Sequence, residues 1–196
     1  MKELLYVNAC MRGDFFSRTS DLSHTFLNKW KSLHPDWTIT ERDLTESNLP
    51  ILTAKRAEVR DQTVADGRLD DSLLIYAQEL ARADKVVVAA PTWDLTFPAI
   101  LKVYIEWACT MGITFHYTKH GNEGLCKAEK LLYITSMGGP LKGQTCGIDY
   151  MRGLTDMWGI PQFDYVACTR TDMIGDAGEK NLVRAKNQLI NMAEVW

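Results

Sequence analysis

Three segments of this 196-residue chain gather residue types suited to holding a ligand. The first, Asn8-Ala-Cys-Met-Arg-Gly-Asp-Phe-Phe-Ser-Arg-Thr-Ser20, delivers Ser17, Arg18 and Thr19 to the start of a helix. A helix start offers unpaired N–H donors and a partial positive charge; two hydroxyls and a guanidinium add further donors, so the set suits a phosphate dianion. Helix capping by Thr19 or Ser20 accounts for the hydroxyls equally well. The second, Pro91-Thr-Trp-Asp-Leu-Thr-Phe-Pro98, is an aromatic, proline-bounded loop able to hold a flat ring against backbone donors and acceptors. Trp93 alone would carry little weight, since tryptophans usually just pack. The third, Thr135-Ser-Met-Gly-Gly-Pro140, places two glycines at a strand end, where the backbone can approach a ligand closely or simply turn.

These loops need a scaffold, and the hydrophobic periodicity predicts one. Buried strands alternate with amphipathic helices, the pattern of an α/β doubly wound parallel sheet covered on both faces. Leu4 to Ala9 reads as the first strand. Leu22, Phe26, Leu27, Trp30 and Leu33 recur at helical spacing before Pro35 stops the helix. Trp37 to Arg42 alternates like an edge strand. The charged stretch from Asp43 to Asp70 is too long for a simple connection, so it covers the site or carries a short helix. Leu69, Leu73, Leu74, Ala77 and Leu80 form the next helical face, followed by the strand from Lys85 to Ala90. Pro98 opens a helix that buries Ile100, Leu101, Tyr104, Ile105 and Ala108. Leu131 to Thr135 is a fourth strand, Tyr150 to Trp158 a helix, Tyr165 to Cys168 a fifth strand, and Lys180 to Val195 the closing helix. In such a sheet, ligands sit beyond the carboxyl ends of the strands, where the loops after Ala9, Ala90 and Thr135 lie.

Composition narrows the possibilities. A length near the usual domain size, with 46% hydrophobic and 24% charged residues, predicts one folded domain spanning residues 1–196. A net charge of −3 gives no broad basic field for nucleic acid or anionic lipid. The first residues lack the long apolar region of a signal peptide, and no run approaches membrane-spanning length, so a soluble cytoplasmic protein is expected. The five cysteines, Cys10, Cys109, Cys126, Cys146 and Cys168, are scattered and form no C-x-x-C pair. Reduced thiols follow, and the four histidines show no clustering with them that would predict a metal.

The loops in order resemble the FMN-dependent NADH-azoreductases and the related DT-diaphorase-type NAD(P)H quinone reductases, a resemblance spanning nearly the whole chain. It rests on Ser17-Arg-Thr19, on P-T-W-D-L-T-F-P-A-I-L-K from Pro91 to Lys102, on G-I-T-F-H-Y-T from Gly112 to Thr118, and on T-S-M-G-G from Thr135 to Gly139. The resemblance implies a flavodoxin-like, five-stranded parallel sheet flanked by helices. It also implies bound FMN, NADH or NADPH as donor, and a quinone, azo or nitroaromatic-type acceptor reduced in a ping-pong cycle. It puts Ser17, Arg18 and Thr19 on the FMN phosphate, with Cys10 where azoreductases have a serine. Pro91 precedes the segment Thr92, Trp93, Asp94 and Leu95, which would lie along the isoalloxazine, with Asp94 in place of the usual asparagine. Ser136, Met137, Gly138 and Gly139 would lie near the pyrimidine edge, with Met137 where arginine is frequent. A carboxylate at position 94 would tend to lower the flavin potential, and Met137 would remove one anion-stabilising contact. Tyr117 is a candidate for the substrate side, or a packed core residue. His116, alternating away from Tyr117 on a strand, is expected to face solvent or a partner chain.

The resemblance further implies a homodimer with two flavin sites at the subunit interface. The Trp107 to Tyr117 region, Met151, Met157 and Trp158 offer an apolar patch for it, if they are not core. Two rival readings can be weighed. A low-molecular-weight tyrosine phosphatase would need C-x5-R, yet the sixth residue after Cys10 is Phe16. A flavodoxin-type electron carrier shares the fold, but its first loop resembles a compact Thr/Ser-rich turn without arginine.

Overall fold

The computed structural model describes residues 2–45, 47–143 and 145–196. Five strands form one parallel sheet: β1 (Glu3–Asn8), β2 (Thr38–Asp43), β3 (Lys85–Ala89), β6 (Lys130–Ser136) and β7 (Gln162–Cys168), in the order β2-β1-β3-β6-β7. Alternation along each central strand divides the core into two layers, because successive side chains point to opposite faces. Leu5 and Val7, Val86 and Val88, and Leu131 and Tyr133 face α4 (Ile75–Arg82), α5 (Ala99–Ala108) and α6 (Cys146–Met157). Leu4 and Tyr6, Val87 and Ala89, and Leu132 and Ile134 face α2 (Arg18–Leu33) and α7 (Ala177–Val195). On this second face the Tyr6 hydroxyl bonds Ser23 at 2.7 Å, which lets a polar pair sit inside the apolar layer.

Several element bounds differ from the sequence reading, each for a local reason. The helix expected to include Leu69 starts later: Asp71 accepts from the Leu73 N–H at 2.9 Å and caps a short 3₁₀ turn, Ser72–Leu74, ahead of α4. Leu69 and Leu33 are both exposed. Helix α6 begins at Cys146, four residues before Tyr150, with Asp149 in its first turn accepting from the Thr145 hydroxyl. Strand β7 begins at Gln162 and α7 at Ala177, both earlier than the apolar periodicity marks.

The excursion between β2 and α4 carries α3 (Ala54–Ala65) and is stitched to α5. Trp107 Nε1 donates to the Pro50 carbonyl at 2.7 Å, and Arg60 donates to the Glu106 carbonyl at 2.8 Å. The T-F-H-Y-T segment forms β4 (Phe115–Thr118), which pairs antiparallel with β5 (Gly121–Gly124) outside the main sheet. This hairpin docks on the end of α6: Asn122 Nδ2 donates to the Met157 carbonyl at 2.8 Å, and the Cys126 N–H to that of Trp158 at 3.1 Å.

The apolar patch offered by the sequence for an interface is largely core. Met151 is fully buried, Trp158 is 2% exposed, Trp107 is buried and Met157 packs against the same layer. These side chains pack inside, whereas Met111 and Tyr117 of the same region are exposed, at 54% and 70%.

Candidate functional site

The three ligand-type loops meet at the carboxyl ends of β1, β3 and β6, around a cavity of about 390 Å³. Its walls are Arg12, Phe16, Ser17, Arg18, Pro91, Thr92, Trp93, Asp94, Ser136, Gly138, Thr171 and Asp172. The sequence reading named eight of these and missed four. Arg12 and Phe16 belong to the same first loop. Thr171 and Asp172 come from the loop after β7, where no glycine or aromatic cluster gave a signal.

Ser17 caps α2, its hydroxyl oxygen accepting from the Ser20 N–H at 3.2 Å. Capping and anion binding are therefore compatible at this residue: the N–H groups of the first turn still lack intrahelical acceptors, and the Ser17 O–H remains a donor. Thr19 is not at the wall. It is fully buried, and its hydroxyl bonds that of Ser136 at 2.7 Å, pinning the start of α2 to the end of β6. Cys10 is also turned away from the cavity, its thiol donating to the Ala89 carbonyl at 3.7 Å. Burial pushes that thiol up to about 12, the opposite of what a nucleophilic thiolate needs. The phosphatase reading thus fails on chemistry as well as spacing.

The second loop is a two-residue turn. The N–H of Trp93 donates to the Thr96 carbonyl and the N–H of Thr96 to that of Trp93, both at 3.0 Å. Asp94 and Leu95 between them have positive φ, 47° and 74°. Aspartate tolerates that region, whereas leucine is strained there by about 1–2 kcal/mol. The turn presents Trp93 and Asp94 to the cavity; Leu95 is exposed beside it. Replacing Leu95 by glycine is expected to raise stability by about 1 kcal/mol, and by valine to lower it by about as much. Urea midpoints decide this, and equal midpoints would mean the turn stores no strain.

The third loop is laced to the fourth. Thr92 donates its N–H to the Ser136 carbonyl at 2.8 Å, and Thr171 donates its N–H and hydroxyl to the Met137 carbonyl, both at 3.1 Å. Met137 is buried and its N–H donates to Cys168, so its side chain does not line the cavity; Gly139 accepts from Arg170 and is not at the wall either. Gly138 does face it. A Cβ there would come within 2.4 Å of an Asp172 carboxylate oxygen, so the missing side chain makes room for that carboxylate. The other Asp172 oxygen accepts from Arg18 Nη1 at 2.5 Å.

Tyr117 lies elsewhere. It is 70% exposed on the hairpin and lines a separate cavity with Asp61, Val64, Ala65, Met111, Gly112 and His116. His116 therefore does not point away from Tyr117's surroundings as simple alternation predicts. The strand is short and at an edge, so both side chains reach the same groove. His116 Nε2 also pairs with Glu123 across the hairpin at 3.1 Å.

The fold and this arrangement define a class: the chain belongs to the flavodoxin-like fold family, whose description matches residues 2–192. Among curated proteins it is 34% identical over 197 aligned positions to FMN-dependent NADH:quinone oxidoreductase 2 of Clostridium acetobutylicum, covering 96% of this chain and 98% of that one. It is 33% identical to the FMN-dependent NADH:quinone oxidoreductase of Coprothermobacter proteolyticus, with 99% of each covered. An azoreductase from Bacillus anthracis shares its fold with a TM-score of 0.89 over the whole of both chains, at 24% identity.

The residues present suit FMN. Hydroxyls of Ser17, Thr92 and Ser136 and two guanidiniums line one cavity with an indole and a close backbone approach at Gly138, a donor set for a phosphate joined to an aromatic wall for a ring. No helix is long and apolar enough to cross a membrane, among the described residues.

Proposed function

We propose that this protein is an FMN-dependent NAD(P)H oxidoreductase that reduces quinones, azo compounds or similar nitroaromatic-type acceptors. The observation that carries it is the meeting, in one cavity, of the α2 start with Ser17, Arg12 and Arg18, the Trp93 turn and the Gly138 loop. Bound FMN supplies two-electron transfer, from NADH or NADPH to the acceptor in alternating half-reactions.

The chain's own residues do the rest. The α2 start, Ser17 and the guanidiniums hold the phosphate end. Trp93 and the backbone of the strained turn wall the ring, and the hydrogen bonds joining Thr92, Ser136, Met137 and Thr171 keep the loops at a fixed spacing. Asp94 places a carboxylate beside the ring and disfavours extra negative charge there, which lowers the potential of bound flavin and shifts the acceptor range toward compounds that are harder to reduce. The working unit is a cytoplasmic, single-domain homodimer in which the partner walls the open face.

The purified protein should be yellow, or take up FMN in preference to FAD, and anaerobic titration with NADH or NADPH should bleach it. Failure to bind FMN at micromolar concentration would remove the central claim. Bleaching without multiple turnover on a quinone would favour an electron carrier. Arg18→Ala should weaken FMN by about 1.5 to 3 kcal/mol with the fold intact, as expected for a charge-assisted hydrogen bond. Unchanged affinity would place Arg18 outside the phosphate contacts.

A further inference from the structure

Asp172 stands in an unusual position for a phosphate-binding site. One of its carboxylate oxygens accepts from Arg18 at 2.5 Å, and the other lies in the space left by the absent side chain of Gly138. Its N–H donates to the Gly138 carbonyl at 3.3 Å, and the neighbouring Thr171 is bonded twice to Met137. The carboxylate is therefore held at the cavity wall by its own backbone, not carried there by a freely swinging loop. Arg12, on the same loop as Arg18, lines the same cavity and has no ion-pair partner among the described residues. Of the two guanidiniums beside the α2 start, one is thus engaged by a fixed negative charge.

Resting on the FMN reading above, the geometry points to Asp172 as an affinity-setting residue, whose carboxylate competes with the cofactor phosphate for Arg18 and repels it. A phosphate at the α2 start carries up to two negative charges, and Asp172 adds a third within the same wall. The Arg18–Asp172 pair is largely exposed, at 46% and 66% of the side chains, so exchanging the carboxylate partner for a phosphate requires no unpacking. The effect is to make the cofactor exchangeable: the site binds a flavin ring with a phosphate, but holds the phosphate less tightly than its donors allow.

The test compares the wild type with Asp172→Asn, which keeps shape and removes charge. Each FMN complex is diluted and flavin release followed by fluorescence, with riboflavin as the phosphate-free control. Asp172→Asn should hold FMN about tenfold more tightly at low salt, with the gain shrinking as potassium chloride is added. Riboflavin affinity should not move, and the gain should be smaller in an Arg18→Ala background. Equal or weaker FMN binding by Asp172→Asn, with an unchanged melting temperature, would overturn the inference alone, and weaker binding would show that Asp172 orients Arg18. Binding of FMN by neither protein would overturn the flavin reading and this inference with it.

Discussion

Gly124→Ala is expected to destabilise the protein by about 3 kcal/mol or more. A Cβ at Gly124 would lie 2.0 Å from the carbonyl carbon of Trp158 and 2.0 Å from the Gly159 nitrogen, and neither backbone atom can rotate aside as a side chain would. The clash can be relieved only by lifting the β4–β5 hairpin from the end of α6, which breaks the bonds from Asn122 and Cys126. Lys119 in the hairpin turn then becomes a faster site of tryptic cleavage. Gly159→Ala should cost less, about 1–2 kcal/mol, from the left-handed φ of 75° and a tight 3.0 Å contact. Urea unfolding and the tryptic rate check both. A Gly124→Ala midpoint equal to wild type would mean that the hairpin does not seat as closely as described.

Alkaline pH is expected to destabilise the protein through its buried thiols and phenols. Burial raises Cys10 and Cys126 from an ordinary 9.0 to about 12, Cys109 to about 11, and Tyr133 from 10.0 to about 12. In the folded state these groups keep their protons; in the unfolded chain they lose them above about pH 9 to 10. The unfolded state therefore binds fewer protons, so stability is full below pH 9 and falls as pH rises toward 12. Each group contributes a loss of roughly 1.4 kcal/mol per pH unit inside its own window. Urea midpoints should decline steeply between pH 9 and 11, with a shallower decline in Cys10→Ala. A flat profile over that range would mean that the thiols ionise in place. At neutral pH the exposed Cys146 should react with a thiol reagent long before Cys10.

Much of the fold was legible because the central strands are nearly pure apolar runs. Val86 to Ala89 and Leu131 to Ile134 have no charged side chain to confuse the period, and both faces are indeed buried. Element starts were less legible, since Cys146, Gln162 and Ala177 enter their elements through capping and pairing, which apolar spacing does not report. The hairpin of residues 115–124 escaped the strand count because β5 is Gly-Asn-Glu-Gly, a segment with no strand composition, held by its pairing and by Gly124's fit on α6. At the site, residues that act through backbone or local motif were found, including Ser17, Thr92 and Gly138. Arg12 and Phe16 sit in a stretch whose short helix α1 (Gly13–Phe16) buries nothing, so periodicity gave no hint of where they point. Asp172 comes from a loop about 150 residues further on, and only the tertiary structure brings it to Arg18. The side chains of Cys10, Thr19 and Met137 turn away from the cavity, because position in a motif does not say which side of the backbone a side chain takes.

The strand order also dictates how the sheet can be assembled while the chain is being made. After β1 and β2 pair, β3 joins the other side of β1, then β6 joins β3, and β7 joins β6. Every later strand adds to an edge that is still open, and none has to be inserted between two strands already joined. Growth runs in the direction of synthesis, and no completed pairing must be undone to admit a late arrival. The cost of this order is a succession of unfinished edges, first β1, then β3 and then β6, each apolar and exposed until the next strand emerges. The longest such wait is on β1, whose second partner β3 begins 77 residues after β1 ends, with β2 and α3 between them. A ribosome stalled in that interval would display the most aggregation-prone edge the molecule ever shows.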